Sequence, residues 1–202
     1  MRPAAAGGAA PSVYNLANAL TMARLALVPV FLVFLFVDDG HQQSWRIAAC
    51  AVFAVAILTD KVDGDLARSR GLVTNFGKIA DPIADKALVG AALIGLSALG
   101  ELPWWVTIVI MVREIGITAM RFAVLQHGVM AAGRGGKLKT ALQGIAIGLY
   151  LLAQTGVVRT TADVVMGAAV IVTVVTAADY VVSAVRMRQA AIRVSRGPGE
   201  VA

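Results

Sequence analysis

The sequence predicts an all-α polytopic membrane protein, a bundle of six transmembrane helices preceded by a short interfacial N-terminal helix. Hydrophobic side chains make up 58% of the 202 residues and charged ones only 15%, too apolar a balance for an ordinary soluble domain. Apolar runs of about the length a bilayer demands recur six times, at 20–37, 45–60, 83–100, 103–124, 139–157 and 162–185. Lysine and arginine are also distributed unevenly among the connections, as membrane topology requires.

The first twelve residues, MRPAAAGGAAPS, are small and turn-prone and predict a disordered tail. A long first apolar stretch with further spans behind it argues against a cleavable signal peptide. The six-span domain is expected over 13–188, with a basic cytoplasmic tail at 189–202. At its start, VYNLANALTMARLALVP reads as an interfacial stretch entering the membrane, where Asn15, Asn18, Thr21 and Arg24 recur every three residues along one side of a helix. The second and third spans are short for a full crossing, so they are expected to continue as helix beyond the hydrocarbon boundary. The single Cys50 lies inside an apolar run, where it reads as a small core or lipid-facing residue without a disulfide partner.

Orientation follows from the basic residues. The connections DDGHQQS at 38–44 and Gly-Glu-Leu-Pro at 100–103 contain neither lysine nor arginine. The connection after the second span carries Lys61, Arg68, Arg70 and Lys78, that at 125–138 carries Arg134 and Lys137 with Lys139 just beyond, and the tail carries Arg186, Arg188, Arg193 and Arg196. Those segments are expected inside the cell, with both termini cytoplasmic and the chain in the cell (inner) membrane. The net charge of +6 reflects this asymmetry, so nucleic-acid binding is not indicated. The basic tail suits anionic lipid headgroups instead.

The chemistry concentrates in DKVDGDLARSRGLVTNFGKIADPIADK, Asp60 to Lys86. On helices, residues three or four apart share a face, so Asp60, Asp63 and Ala67 form one stripe and Gly77, Asp81 and Asp85 another. Like charges at these spacings destabilise a helix, and a nearby membrane raises the cost of desolvating them. A cation relieves both. Hard oxygen donors suit Mg2+ or Mn2+, the absence of His and Cys from the segment argues against zinc, and two divalent ions neutralise four carboxylates. Gly64 and Gly77 allow a ligand close to the backbone, and Arg68 offers a planar fork for a phosphate.

Written as D-x2-D-G-x2-A-R-x8-G-x3-D-x3-D, with every fixed position present, this segment resembles the signature of the CDP-alcohol phosphatidyltransferases. The resemblance implies transfer of a phosphatidyl group from CDP-diacylglycerol, with Asp60, Asp63 and Asp81 holding the ions. It further implies that Asp85 both binds an ion and accepts the alcohol proton, and that Gly64, Ala67, Arg68, Thr74 and Gly77 line the CDP site. A similar N-x2-N-x-L-T-x2-R stretch precedes the first span in the family, which carries Asn18, Thr21 and Arg24 to the nucleotide-lipid site. Capping by asparagine and an arginine reaching to headgroups explain that stretch as well. Family members are homodimers, and Gly144, Ala146 and Gly148 permit close helix packing.

Two clusters carry charge where the bilayer makes charge expensive. Arg113, Glu114 and Arg121 fall inside the fourth span, with the two arginines about two turns apart on roughly one side. In GRGGKLKTALQ, Gly133, Gly135 and Gly136 permit tight turns beside Arg134, Lys137 and Lys139. Arg113, Arg121, Arg134, Lys137 and Lys139 are the expected ligands of an acceptor phosphate, although Arg134 and Lys137 equally fit simple enforcement of cytoplasmic placement. The pairing of R-E-I-x-I-x-x-x-R with a later G-K-x-K-T resembles the bacterial phosphatidylglycerophosphate synthases of the family, which implies glycerol 3-phosphate as acceptor. Inositol phosphate and phosphatidylglycerol are the alternative acceptors. A cation transporter would spread acidic residues over several spans, and here the four aspartates flank one connection.

Overall fold

The computed structural model describes residues 16–70, 75–124 and 134–195, with the side chains at 16, 17, 60–82, 85, 121–124, 134, 135, 137 and 184–195 outside the described set. Among the described residues the chain is all-helical. Six α-helices, α1 Leu16–Phe36, α2 Gln43–Arg70, α3 Asn75–Ala98, α4 Trp104–Val124, α5 Arg134–Leu152 and α6 Gly156–Ser195, are joined by one 3-10 turn at Val37–Gly40. They divide into two compact units that part between Glu101 and Leu102.

In the first unit α1 packs along both α2 and α3. Phe31 and Leu35 of α1, Phe53 and Ala56 of α2, and Ala92, Leu93 and Leu96 of α3 are buried in its core. The Phe31 and Phe53 rings lie 5.9 Å apart between centroids, within the range of favourable aromatic pairs. At Gly95 an added Cβ would stand 2.5 Å from Leu35 Cδ2, so α3 approaches α1 there only because the side chain is missing.

The α1–α2 connection reverses the chain through three left-handed residues, Asp38, Asp39 and Gly40, at φ 54°, 49° and 73°. Aspartate and glycine are the residue types that tolerate this region. Arg46, fully buried on α2, locks the turn. Its Nη1 donates to the Gly40 carbonyl at 3.2 Å, and its two Nη atoms grip the Glu101 carboxylate at 2.5 and 2.8 Å. The first connection and the end of α3 are thereby tied together.

In the second unit α4 and α5 each pack on α6. Ile110 and Ile117, Ala146 and Ile147, and Ala162, Met166 and Ala169 supply its core. The expected boundary between the last two spans needs correction. The fifth apolar helix ends at Leu152 and the sixth begins at Gly156, not at 157 and 162. Gly156 adopts φ 76°, and the polar stretch behind it stays helical because its polar groups find local partners. Thr160 and Thr161 donate to the carbonyls four residues back at 3.3 and 2.9 Å, and Arg159 Nε donates to Asp163 at 3.3 Å.

The interfacial entry stretch is, from Leu16 onward, the first part of α1 without a break. The second and third apolar runs do continue as helix, to Arg70 and from Asn75. Among the described residues, two helical segments, Asn18–Gly40 and Gly156–Ser183, are long and apolar enough to cross a membrane. Shorter apolar stretches occur among the described residues of α2, α3 and α5, at Gln43–Thr59, Lys86–Ala98 and Leu138–Leu152. On α6, Val157, Val164 and Ile171 recur every seven residues and are 84%, 67% and 66% exposed, an outward apolar stripe suited to lipid or another apolar surface.

Candidate functional site

The motif is carried on two helical arms of the first unit. Asp60, Asp63, Gly64, Ala67 and Arg68 fall on the C-terminal part of α2, and Gly77, Asp81 and Asp85 on the N-terminal part of α3. Because the backbone is helical through both stretches, each aspartate pair shares a face of its helix, at three-residue spacing on α2 and four-residue spacing on α3. The side chains of these eight residues, and all of Thr74, lie outside the described residues. No group of three or more His, Cys, Asp or Glu occurs among the described side chains.

Asn18, Thr21 and Arg24 are 5%, 3% and 2% exposed. Their three-residue recurrence places them on one side of α1, the side turned into the first unit. An arginine reaching outward to headgroups is therefore not what Arg24 provides.

The second unit contains a polar cluster among apolar helices. Lys139 of α5, 4% exposed, pairs its Nζ with Glu114 Oε1 of α4. Arg113 Nη1 donates to the same Glu114 oxygen at 3.1 Å, and its Nη2 donates to Thr176 Oγ1 of α6 at 3.1 Å. The Arg113 guanidinium also lies over the Tyr180 ring, 5.9 Å from its centroid, within cation–π range. Behind it, Gln143 Nε2 donates to Thr173 Oγ1 at 3.3 Å. Arg113 Nε is buried and has no hydrogen-bond partner among the described residues.

Two expected acceptor ligands, Arg113 and Lys139, are thus brought together. Arg121, Arg134 and Lys137 lie on α4 and α5 with side chains outside the described residues. The glycine-rich stretch departs from its expected form, because Gly135 and Gly136 belong to the first turn of α5 and not to a loop. The Gly136 carbonyl accepts the Thr140 hydroxyl at 3.1 Å, continuing the helix in place of a turn. Glu114, which the sequence places in the charged cluster of the fourth span without assigning it a role, is the residue on which the two cations meet. A carboxylate next to an arginine inside an apolar helix was its signal, since charges at membrane depth persist only when paired.

Helical arms carrying the complete aspartate pattern define a class. The profile of CDP-alcohol phosphatidyltransferases matches residues 14–176, and the chain belongs to that family. Among its relatives, a probable phosphatidylglycerophosphate synthase of Mycobacterium tuberculosis is 54% identical over 174 residues, covering 86% of this chain and 83% of the relative. A CDP-diacylglycerol--glycerol-3-phosphate 3-phosphatidyltransferase of Bacillus subtilis is 39% identical, covering 83% and 94%. The enzyme of that name from Rickettsia typhi is 32% identical, covering 82% and 94%.

Proposed function

We propose that this chain transfers the phosphatidyl group of CDP-diacylglycerol to sn-glycerol 3-phosphate, giving phosphatidylglycerophosphate and CMP in phospholipid biosynthesis. The observation that carries the class is the unbroken aspartate pattern on the helical arms of α2 and α3. The acceptor is supported by the names of relatives that match most of the chain and by the cationic cluster of the second unit.

Asp60, Asp63, Asp81 and Asp85 would hold two divalent ions, Mg2+ or Mn2+, whose charge would neutralise the diphosphate and the departing CMP. In the transfer, the acceptor hydroxyl oxygen forms a bond to the phosphorus bearing diacylglycerol, the bond from that phosphorus to CMP breaks, and Asp85 takes the hydroxyl proton. Gly64, Ala67, Arg68, Thr74 and Gly77 bind the CDP portion, with Asn18, Thr21 and Arg24 as further donor contacts. Arg113, Arg121, Arg134, Lys137 and Lys139 bind the acceptor phosphate. The six helices are six spans of the cell membrane with both termini and the motif on the cytoplasmic side, and the chain acts as a homodimer. Exposed valine and isoleucine along α6 support immersion in lipid.

The test is CMP release by purified enzyme in detergent, with CDP-diacylglycerol and a panel of glycerol 3-phosphate, glycerol, inositol phosphate and phosphatidylglycerol. Glycerol 3-phosphate is the preferred acceptor and glycerol a poor one, since a charged hydrogen bond to phosphate contributes about 1.5–3 kcal/mol, or roughly ten- to hundredfold in kcat/KM. Equal turnover of glycerol and glycerol 3-phosphate, or preference for inositol phosphate, overturns the acceptor and leaves the class intact.

A further inference from the structure

We propose that Glu114 is a positioning residue for the acceptor, its carboxylate holding Lys139 and Arg113 in the arrangement that receives the phosphate. This inference rests on the acceptor reading above and adds to it a residue of opposite charge.

The physical case begins with cost. Lys139 and Arg113 come from different helices, and their side chains are only 5% and 10% exposed. Two nearby cations so withdrawn from water repel each other and lose hydration, and without an anion the lysine would turn away or discharge. Glu114, itself 15% exposed in its side chain, supplies one oxygen to both. Two cations from different helices thus converge on one carboxylate oxygen, an arrangement that can present both to a phosphate.

Geometry adds a second observation. The Arg113 guanidinium is held at three points, by Glu114 at Nη1, by Thr176 at Nη2 and by the Tyr180 ring against its face. Its Nε–H is nevertheless buried and has no partner among the described residues. Buried donors are normally satisfied, and one left open on a clamped guanidinium is a position for an incoming oxygen. Thr176 Oγ1 in turn donates to the Val172 carbonyl at 2.7 Å, so its lone pair is directed to the arginine. Glu114 therefore fixes the acceptor's cations without touching the acceptor itself.

The experiment compares Glu114→Gln, Glu114→Asp and Lys139→Gln with the parent enzyme in detergent. It measures kcat, the apparent KM for each substrate and the thermal unfolding midpoint. Glu114→Gln raises the KM for glycerol 3-phosphate about tenfold while kcat and the KM for CDP-diacylglycerol stay within about twofold. Glu114→Asp, which keeps the charge with a shorter reach, falls between it and the parent. Lys139→Gln raises the acceptor KM at least as much. If Lys139→Gln leaves the acceptor KM unchanged, the acceptor reading itself fails. An impaired Lys139→Gln beside an unchanged or improved Glu114→Gln overturns the role of Glu114 alone. A fall in kcat with both KM values preserved makes Glu114 structural and likewise overturns it. Should Glu114→Gln not fold, Glu114→Asp decides, and a parental acceptor KM in that variant refutes the inference.

Discussion

Arg46 and Glu101 form the best-defined ion pair of the first unit, with Arg46 wholly buried and Glu101 12% exposed in its side chain. Removing one member takes from the other the opposite charge it grips through two hydrogen bonds. Glu101→Gln or Arg46→Met should each cost about 3 kcal/mol, the lower end of the range for breaking a buried pair, because Glu101 retains some contact with water. The double replacement should cost clearly less than the sum, which thermal unfolding in detergent would show, and additive losses would mean that the pair is not coupled. Asp85 belongs to the same scale. Asp85→Asn keeps the shape of the side chain but removes the proposed base, so CMP release should fall to background while a titration still shows binding of CDP-diacylglycerol. Near-normal CMP release would remove Asp85 from that role.

At the scale of elements, helix contacts decide where small residues are indispensable. Leu35 is fully buried, and Leu32 Cδ2 and Phe36 Cε2 stand 3.7 Å from the position of a Gly95 Cβ, so Leu35 has little room to retreat. Gly95→Ala should therefore destabilise the first unit by about 1–3 kcal/mol, the usual cost of overpacking. Gly167 has open space at the same position, so Gly167→Ala serves as the control with little effect on the unfolding midpoint. A Gly95→Ala variant as stable as the control would show that α3 does not depend on this approach. The α5–α6 turn teaches the complementary lesson. A run such as Val-Arg-Thr-Thr looks like a loop by polarity, yet threonine hydroxyls that bond back to carbonyls one turn earlier let it remain helix.

At the scale of the whole chain, lysine and arginine asymmetry makes a prediction independent of the catalytic assignment. In a Cys50→Ala background, cysteines at Ser69 and Gly128 should resist an impermeant thiol reagent in intact cells, and one at Gln42 should react. Gln42 is exposed just before α2, so its modification requires no opening of the helices. The reverse pattern would invert the topology. Arg46 does not count against the outward placement of its end of α2, because Glu101 neutralises it.

The sequence by itself determined the all-helical class, the approximate helices, the extension of the second and third into the motif, and the family. Each of these is written in one dimension, as apolar run length or as carboxylates at helical spacing. Helix ends shifted where side chains rather than hydropathy set them, at Gly156 and at the glycines opening α5. Only the tertiary structure decided which charge neutralises which. Arg46 and Glu101 lie 55 positions apart, and Lys139 and Glu114 lie 25 apart on different helices. Periodicity assigns a charge to a face of its own helix, but its partner depends on how helices are laid against one another, and the cost of burying a lone charge makes that pairing obligatory.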